Sequence, residues 1–233
     1  MRGMKLCLLV ISFVFAVSLL SQNAVANDDK WPRLVEESGK VLDEIQRMPD
    51  QSIPGDMLQS CEAIAIFPST VSGGFVIGGQ YGQGIIMVRD GSKRGWQPPA
   101  IFTIVGGSFG WQIGGQASDI VLLIMSRRSV DGILQGKFKL GADAAVSAGP
   151  VGRDAQASTD VQLKGGILSY SRSRGLFIGV KLEGAVITEH LDGDMALYGE
   201  NVSARDIMLD KKVSMPKSAD HVLSVLDRYP SKR

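Results

Sequence analysis

The chain has 233 residues, of which 44% are apolar and 21% are charged, and its formal net charge is +1. This composition is typical of an ordinary globular protein, and the near-neutral charge argues against a general nucleic-acid-binding protein. The length suits one domain with a sizeable core.

The first 26 residues have the pattern of a secretory signal peptide. Arg2 and Lys5 give a positive start, an apolar run follows at 6–20, and the segment ends in the small-residue site Ala24-Val25-Ala26. The run is shorter than the roughly 20 residues that span a bilayer. We predict cleavage after Ala26 and a periplasmic or secreted protein, with peripheral membrane attachment compatible with that location. An uncleaved N-terminal anchor is the alternative.

The predicted mature chain, 27–233, begins and ends with amphipathic helices. Apolar residues recur at helical spacing from Trp31 to Met48, and a second apolar stripe follows Pro216. Short helices are predicted at 55–61 and 129–136 and around 203–209. Between them, eight segments rich in Val, Ile and Phe read as strands. They are residues 63–67, 74–81, 84–90, 100–105, 119–126, 137–149, 160–171 and 175–188.

Short turn signals and paired glycines define the expected shape of this sheet. Turn residues between successive strands favour antiparallel hairpins. Glycine inside a strand marks a bulge, a sharp corner or a close backbone approach, and glycine pairs recur through most of the sheet. They lie at 73–74, 78–79, 106–107, 114–115 and 165–166. The sequence predicts an α+β fold, mainly β, with a single antiparallel, strongly curved or barrel-like sheet and helices at both ends.

Catalytic motifs lack the structural context that they need. Residues 106–110, GGSFG, match the nucleophile elbow of serine hydrolases, but glycines follow Ser108 where a helix should begin. No acidic partner can be placed beside His190 or His221. The Asp192-Gly193-Asp194 stretch reads as a turn, and Cys61 as a buried, inert thiol. We predict a protein that is not an enzyme and has no catalytic residue, metal or cofactor.

One part of the chain carries an uneven charge. Between Arg127 and Lys181 there are nine basic and four acidic residues, whereas the mature chain has 23 basic and 24 acidic ones after Arg2 and Lys5 are removed. Such an excess can bind anionic headgroups, although solvated strand faces and hairpin tips explain it equally well. The hairpin tip predicted at 171–175 would project Arg172 and Arg174 into solvent. The candidate headgroup-binding residues are Lys93, Arg94, Arg127, Arg128, Lys137, Lys139, Arg172, Arg174 and Lys181.

Four long stretches of the chain resemble the SYLF domain family. They read AIAIFPSTVSGGFVIGGQYGQGIIMVRD, FTIVGGSFGWQIGGQASDIVLLIMSRR, GKFKLGADAAVSAGPVGRDAQASTDVQL and GILSYSRSRGLFIGVKLEGAVI. The resemblance covers about residues 53–210, which we take as the core of a single SYLF-like domain at 27–233. It also implies that GGSFGWQ is a structural motif of the family.

The resemblance implies a lipid-binding domain. Eukaryotic members are associated with phosphoinositide membranes and, in fungi, with actin filaments, often beside an added SH3 or FYVE module. The signal peptide and single domain are similar to a bacterial secreted branch. We therefore expect a protein of the cell envelope that binds anionic phospholipids or a membrane surface. A structural or protein-interaction module of the periplasm is the alternative, with cytoskeletal binding as a remote third, and protein partners are unknown.

Overall fold

The computed structural model describes residues 29–48, 51–75, 77–91, 95–108, 116–152, 166–173, 176–199 and 201–231. The predicted signal peptide therefore lies outside the described residues. Helices α1 and α2 precede the first four strands, and α3 follows them. The bounds of this first half are α1 Lys30–Gln46, α2 Gly55–Ser60, β1 Ala63–Phe75, β2 Ile77–Val88, β3 Ala100–Ser108, β4 Gln116–Ile124 and α3 Arg127–Ile133.

The second half has five shorter strands and then helices. A single turn of 3-10 helix at Lys217–Ala219 leads into the last helix. The bounds are β5 Phe138–Lys139, β6 Val146–Ala148, β7 Ile167–Ser173, β8 Leu176–Gly179, β9 Val186–Glu189, α4 Leu191–Tyr198, α5 Ala204–Met208 and α6 Asp220–Leu226. The predicted mixed fold, rich in strands and with helices at both ends, is confirmed.

All described strands belong to one sheet, in the order β5-β9-β3-β2-β1-β4-β7-β6, with β8 paired to β7. Its outermost strands, β5 and β6, are joined by residues 140–145 alone. Seven strand spacings would place them about 34 Å apart in a flat sheet. A six-residue link spans at most about 25 Å, even fully extended. The link is in fact a tight turn, with the Gly141 N–H donating to the Ala144 carbonyl at 2.9 Å. The sheet must therefore curl strongly, as predicted.

Several local predictions were wrong. Three strands were predicted at 63–67, 74–81 and 84–90, but these segments fall mainly in two long strands, β1 and β2, which pair with each other as far as Phe75 and Ile77. Residues 137–149 and 175–188 are each split into two strands, because Gly141 and Gly184 have left-handed φ angles of 86° and 84° that turn the chain. The Asp192-Gly193-Asp194 stretch begins helix α4 and is not an isolated turn. The sheet is also not wholly antiparallel, since β6 pairs with β7 in parallel.

Strand alternation divides the apolar side chains between two cores on opposite faces of the sheet. In β1, Ile64 and Ile66 join the first core, which α1, α2 and α6 cover. Ala65 and Phe67 join the second core, with apolar residues of α3 and α5 and of the end strands β5 and β6. Both faces of the central strands are therefore buried along much of their length.

A buried arginine joins the end of α2 to the C-terminal part of the described chain. The Arg89 side chain donates to the carbonyl oxygens of Leu58 at 2.6 Å, Cys61 at 3.0 Å and Tyr229 at 3.0 Å. Its guanidinium also lies 4.3 Å from the centre of the Trp96 ring. The acceptors include the C-terminal end of α2, where a positive charge is favoured. Cys61 is buried as predicted, and burial raises the pKa of its thiol to about 12.

A buried carboxyl group attaches α4 to the sheet. Asp194 Oδ1 accepts the Ile101 N–H at 2.7 Å, and the residue is fully buried. Within the described part of the chain, its Oδ2 has no hydrogen-bond partner. Burial raises the pKa of Asp194 to about 8, against the opposing effect of the Ile101 N–H, and nearby Glu189 raises it further. Asp194 is consequently protonated at neutral pH.

We predict that Arg89→Met lowers the free energy of unfolding by roughly 3 kcal/mol, because three carbonyl groups lose a charged donor. Arg89→Lys should lose most of the same stability, since one ammonium group cannot reach three divergent acceptors. Urea unfolding followed by circular dichroism measures both. Arg205→Met, at an exposed position, is the control and should change stability by less than about 0.5 kcal/mol. Equal losses of unfolding free energy at Arg89 and Arg205 would show that the hydrogen bonds of Arg89 do not stabilise the fold.

Asp194 should make stability depend on pH. The unfolded carboxyl group ionises near 3.8, whereas the folded one stays protonated up to about 8. Its stabilising contribution is therefore complete below about pH 4 and is lost as the pH rises to about 8, at up to roughly 1.4 kcal/mol per pH unit. Asp194→Asn keeps the acceptor for Ile101 and should flatten this part of the profile. Asp192→Asn, on the exposed side of the same turn, should leave the profile unchanged.

Candidate functional site

Four of the predicted headgroup-binding residues lie on the segment that runs from the start of α3 to the end of β5, and all four are exposed. We call Arg127, Arg128, Lys137 and Lys139 the basic surface. The Ser126 hydroxyl caps the N-terminus of α3, and Val130 and Ile133 bury its opposite side in the second core. The Phe138 ring of β5 packs against the backbone of α3, because a Cβ placed on Gly132 would lie 2.9 Å from Phe138 Cε2. The packing therefore places β5 beside α3, with all four cations at the protein surface.

The basic surface carries nearby carboxylates but forms no ion pair with them in the described residues. Asp131 lies in α3, and the Asp143 carboxylate accepts the backbone N–H of Lys139 at 2.6 Å. The charged side chains of Arg127, Arg128, Lys137 and Lys139 have no carboxylate within ion-pair distance among the residues that the structure describes. They are therefore available to an external anion.

Two other predicted residues, Lys181 and Arg172, are bound to carboxylates. Lys181 forms an exposed ion pair with Glu183 at 2.7 Å. Arg172 pairs across the sheet with Asp119, five residues before the end of β4, whereas α3 begins just after that end. Arg172 is therefore about 20 Å from the start of α3, measured along β4. Lys93, Arg94 and Arg174 lie outside the described residues.

Arg172 belongs to a structural network and does not project freely from a hairpin tip. Its side chain is only 16% exposed and binds two carboxylates, Asp119 at 2.7 Å and Glu44 of α1. The second oxygen of Asp119 accepts the N–H of Ser69 at 2.9 Å. Ser69 has a left-handed φ of 49° at the bulge in β1, so Asp119 stabilises an unusual backbone turn. The network ties α1 to three strands, and headgroup binding by Arg172 stays a prediction.

Residues around the elbow-like motif do not assemble a catalytic group in the described structure. Ser108 ends β3, paired with Gly78 of β2, and the next described element is strand β4. His190 is level with Ile101 on β3, about 24 Å along the strand from Ser108, and its Nδ1 accepts the Gly193 N–H. His221 lies on α6, 3.6 Å from Asp43. A search of the described residues finds no cluster of potential metal ligands.

A row of exposed apolar side chains crosses the first face of the sheet. Val71 pairs with Tyr81, and Tyr81 with Val105. These three residues, which we call the apolar row, share a face with buried Ile85 and Ile101 but are 57%, 53% and 49% exposed. The row lies beyond the area that α1 covers. Strand alternation in the sequence could have assigned these side chains to that face. Their exposure could not be predicted, because it depends on the position of α1.

None of the described helices is both long enough and apolar enough to cross a membrane.

Comparisons with known proteins identify relatives along most of the chain. The family described as "Ysc84: Las17-binding protein actin regulator" matches residues 105–229. Protein YSC84 of Saccharomyces cerevisiae is 33% identical over 183 residues, which are 76% of this chain and 38% of the yeast protein. The SH3 domain-containing YSC84-like protein 1 of Bos taurus is 29% identical over 187 residues, 79% of this chain and 53% of the relative. The chain thus spans about two fifths to one half of these relatives.

We predict that Arg172→Glu destabilises the fold, because it places a third carboxylate beside Glu44 and Asp119. The expected loss is roughly 2–3 kcal/mol of unfolding free energy. Arg33→Glu is the control, since Arg33 forms an exposed ion pair with Asp29 on the same helix and should contribute less than about 1 kcal/mol. Thermal unfolding compares the two variants. An unchanged melting temperature for Arg172→Glu would show that the network is not structural.

Proposed function

Because the chain belongs to the Ysc84 (SYLF) family, we propose that it is a non-enzymatic binding protein of the cell envelope, and that its basic surface binds anionic phospholipid headgroups. The observation that carries this proposal is the exposure of four cations on the segment from α3 to β5, with no ion pair to a described carboxylate. The description of the family is that of a regulator and not of an enzyme.

The electrostatics of the basic surface support an interfacial role. A basic side chain near an anionic membrane contributes about 1 kcal/mol, so four of them give useful affinity without deep insertion. Exposed charges are screened over about 8 Å at physiological ionic strength, and the interaction should weaken as salt is added. The apolar side of α3 is already buried in the second core, so α3 can meet a membrane through its charged side without unfolding.

Vesicle sedimentation tests the proposal. The protein should bind phosphatidylglycerol or cardiolipin vesicles and not neutral phosphatidylcholine vesicles, and added salt should release it. The variant Arg127→Glu with Lys137→Glu should reduce binding at least tenfold. The control variant Lys40→Glu with Lys217→Glu makes the same change in net charge at exposed positions of α1 and the 3-10 helix. It should bind like the wild type.

Two results would contradict the proposal. Equal binding to neutral and anionic vesicles would remove its electrostatic basis. Equal losses in the two charge-reversal variants would show that net charge, and not the basic surface, governs binding.

A second candidate function is the binding of a protein partner, and a separate observation favours it. The names of the yeast relatives include "LAS seventeen-binding protein 3", which is 32% identical over 76% of this chain. The apolar row supplies an exposed apolar surface that headgroup binding by the basic surface does not use. Co-sedimentation with filamentous actin distinguishes a cytoskeletal partner from others.

A further inference from the structure

On the first face of the sheet, the apolar row lies beside helix α1, and the two form a step. The apolar row is the lower surface of this step, which we call its floor. Beyond Val71, Tyr81 and Val105, the row is continued by Ala117 on β4 and Val186 on β9. Five strands at their usual spacing make the row about 19 Å long. Its three central side chains are each about half exposed, although apolar side chains four residues away on the same strands are fully buried. Such a contiguous exposed row is typical of a binding surface.

On one side of the apolar row, the surface of the sheet is lower because it carries no side chains. Gly73 and Gly79 are paired directly beyond the row and have no side chains. On the other side, Gln83 and Thr103 are paired and half-buried. Backbone without side chains lets another element approach closely, as small residues do where helices pack.

Helix α1 forms the wall of the step. At one end of the helix, the Trp31 ring lies 4.7 Å from the ring of His190, which follows β9. At the other end, Glu44 binds Arg172 of β7, so α1 crosses the sheet beside the row. A helix stands about 10 Å above the sheet on which it packs, and a second helix could lie at 8–10 Å from its axis.

The wall is acidic on the side that faces the row. Leu34, Glu37 and Val41 share one side of α1 with Glu44, by helical spacing. The opposite flank faces α6, since a Cβ on Gly39 would lie 2.8 Å from the Val222 nitrogen. Glu37 and Glu44 are exposed, whereas Arg172 is mostly buried beneath Glu44 and is already bound to Asp119. Lys40 is exposed one turn from both Glu37 and Glu44, whereas Arg33 of the same helix is bound to Asp29. Three carboxylates against two cations leave this part of the step with a net charge of −1.

We propose that the apolar row is a seat for an amphipathic helix of a protein partner. The apolar side of that helix packs on Val71, Tyr81 and Val105, and a basic flank faces Glu37 and Glu44. A helix of about 13 residues matches the length of the row. The negative wall repels an anionic bilayer, and a second copy of this chain would bring two acidic walls together. A basic amphipathic helix meets both the apolar floor and the charge.

Two synthetic helical peptides of about 14 residues test this seat. Both carry leucine on one side, and they differ only in a flank of lysine or of glutamate. Fluorescence anisotropy with the purified protein should show at least tenfold tighter binding of the lysine peptide. Tyr81→Glu should abolish that preference and the binding. Glu37→Lys should reverse the preference towards the glutamate peptide, because it inverts the charge of the wall.

Matched controls distinguish peptide binding at the apolar row from nonspecific binding to exposed apolar side chains. Leu191→Glu changes another apolar side chain that is 53% exposed, and it should leave peptide binding unchanged. Should Tyr81→Glu fail to fold, Tyr81→Ser with Val105→Thr removes most of the apolar surface while keeping strand-compatible residues.

Three results would overturn the proposal. One is equal binding of the lysine peptide to the wild type and to the variants of Tyr81. Another is a dimer in sedimentation velocity that Tyr81→Glu dissociates, which would assign the row to a second copy. The third is loss of binding to phosphatidylglycerol vesicles in Tyr81→Glu with peptide binding intact, which would assign the row to a membrane.

Discussion

The short link between β5 and β6 is the constraint on which the rest of the structure depends. These strands stand at opposite ends of the sheet order, yet only residues 140–145 separate them in the chain. The curl that this link requires brings apolar residues of both end strands into the second core, with Phe138 and Val146 beside Phe67 of the central strand. It also places β5 against α3.

The charged residues separate into two groups that composition cannot distinguish. The arginine of β7 and the lysines in and beside β5 contribute equally to the local excess of basic charge. Their surroundings differ, because Arg172 is surrounded by carboxylates from a helix and a neighbouring strand, whereas Lys137 and Lys139 face solvent. A cation already bound within the fold stabilises that fold, and it offers little to an external anion. Among the described candidates, the four cations of the basic surface carry no such ion pair, and binding by the other predicted residues stays a prediction.

Much of the fold could be predicted from the sequence. The predominance of β-favouring segments and the helical stripe from Trp31 onward are local patterns, and the glycine pairs indicated curvature. The partners of Arg172 could not be predicted, because Asp119 is 53 residues away in the chain and Glu44 is 128 residues away. The breaks at Gly141 and Gly184 depend on left-handed backbone angles that a run of β-favouring residues conceals. The exposure of the apolar row likewise depends on where α1 lies. The sequence of the sheet by itself does not determine that position.

The position of β9 has a consequence for the order of folding. This strand pairs with β3 on one side and with β5 on the other, and its partners in β3 are more than 80 residues earlier in the chain. Strands β1, β2 and β3 can form a meander as soon as they are made, and β4 can then pair with β1. In the described sheet, β5 has no neighbour until β9 arrives. Pairings of such long range slow folding. A chain in which 186–189 have not yet paired would therefore hold an open sheet, with an unprotected edge at β3.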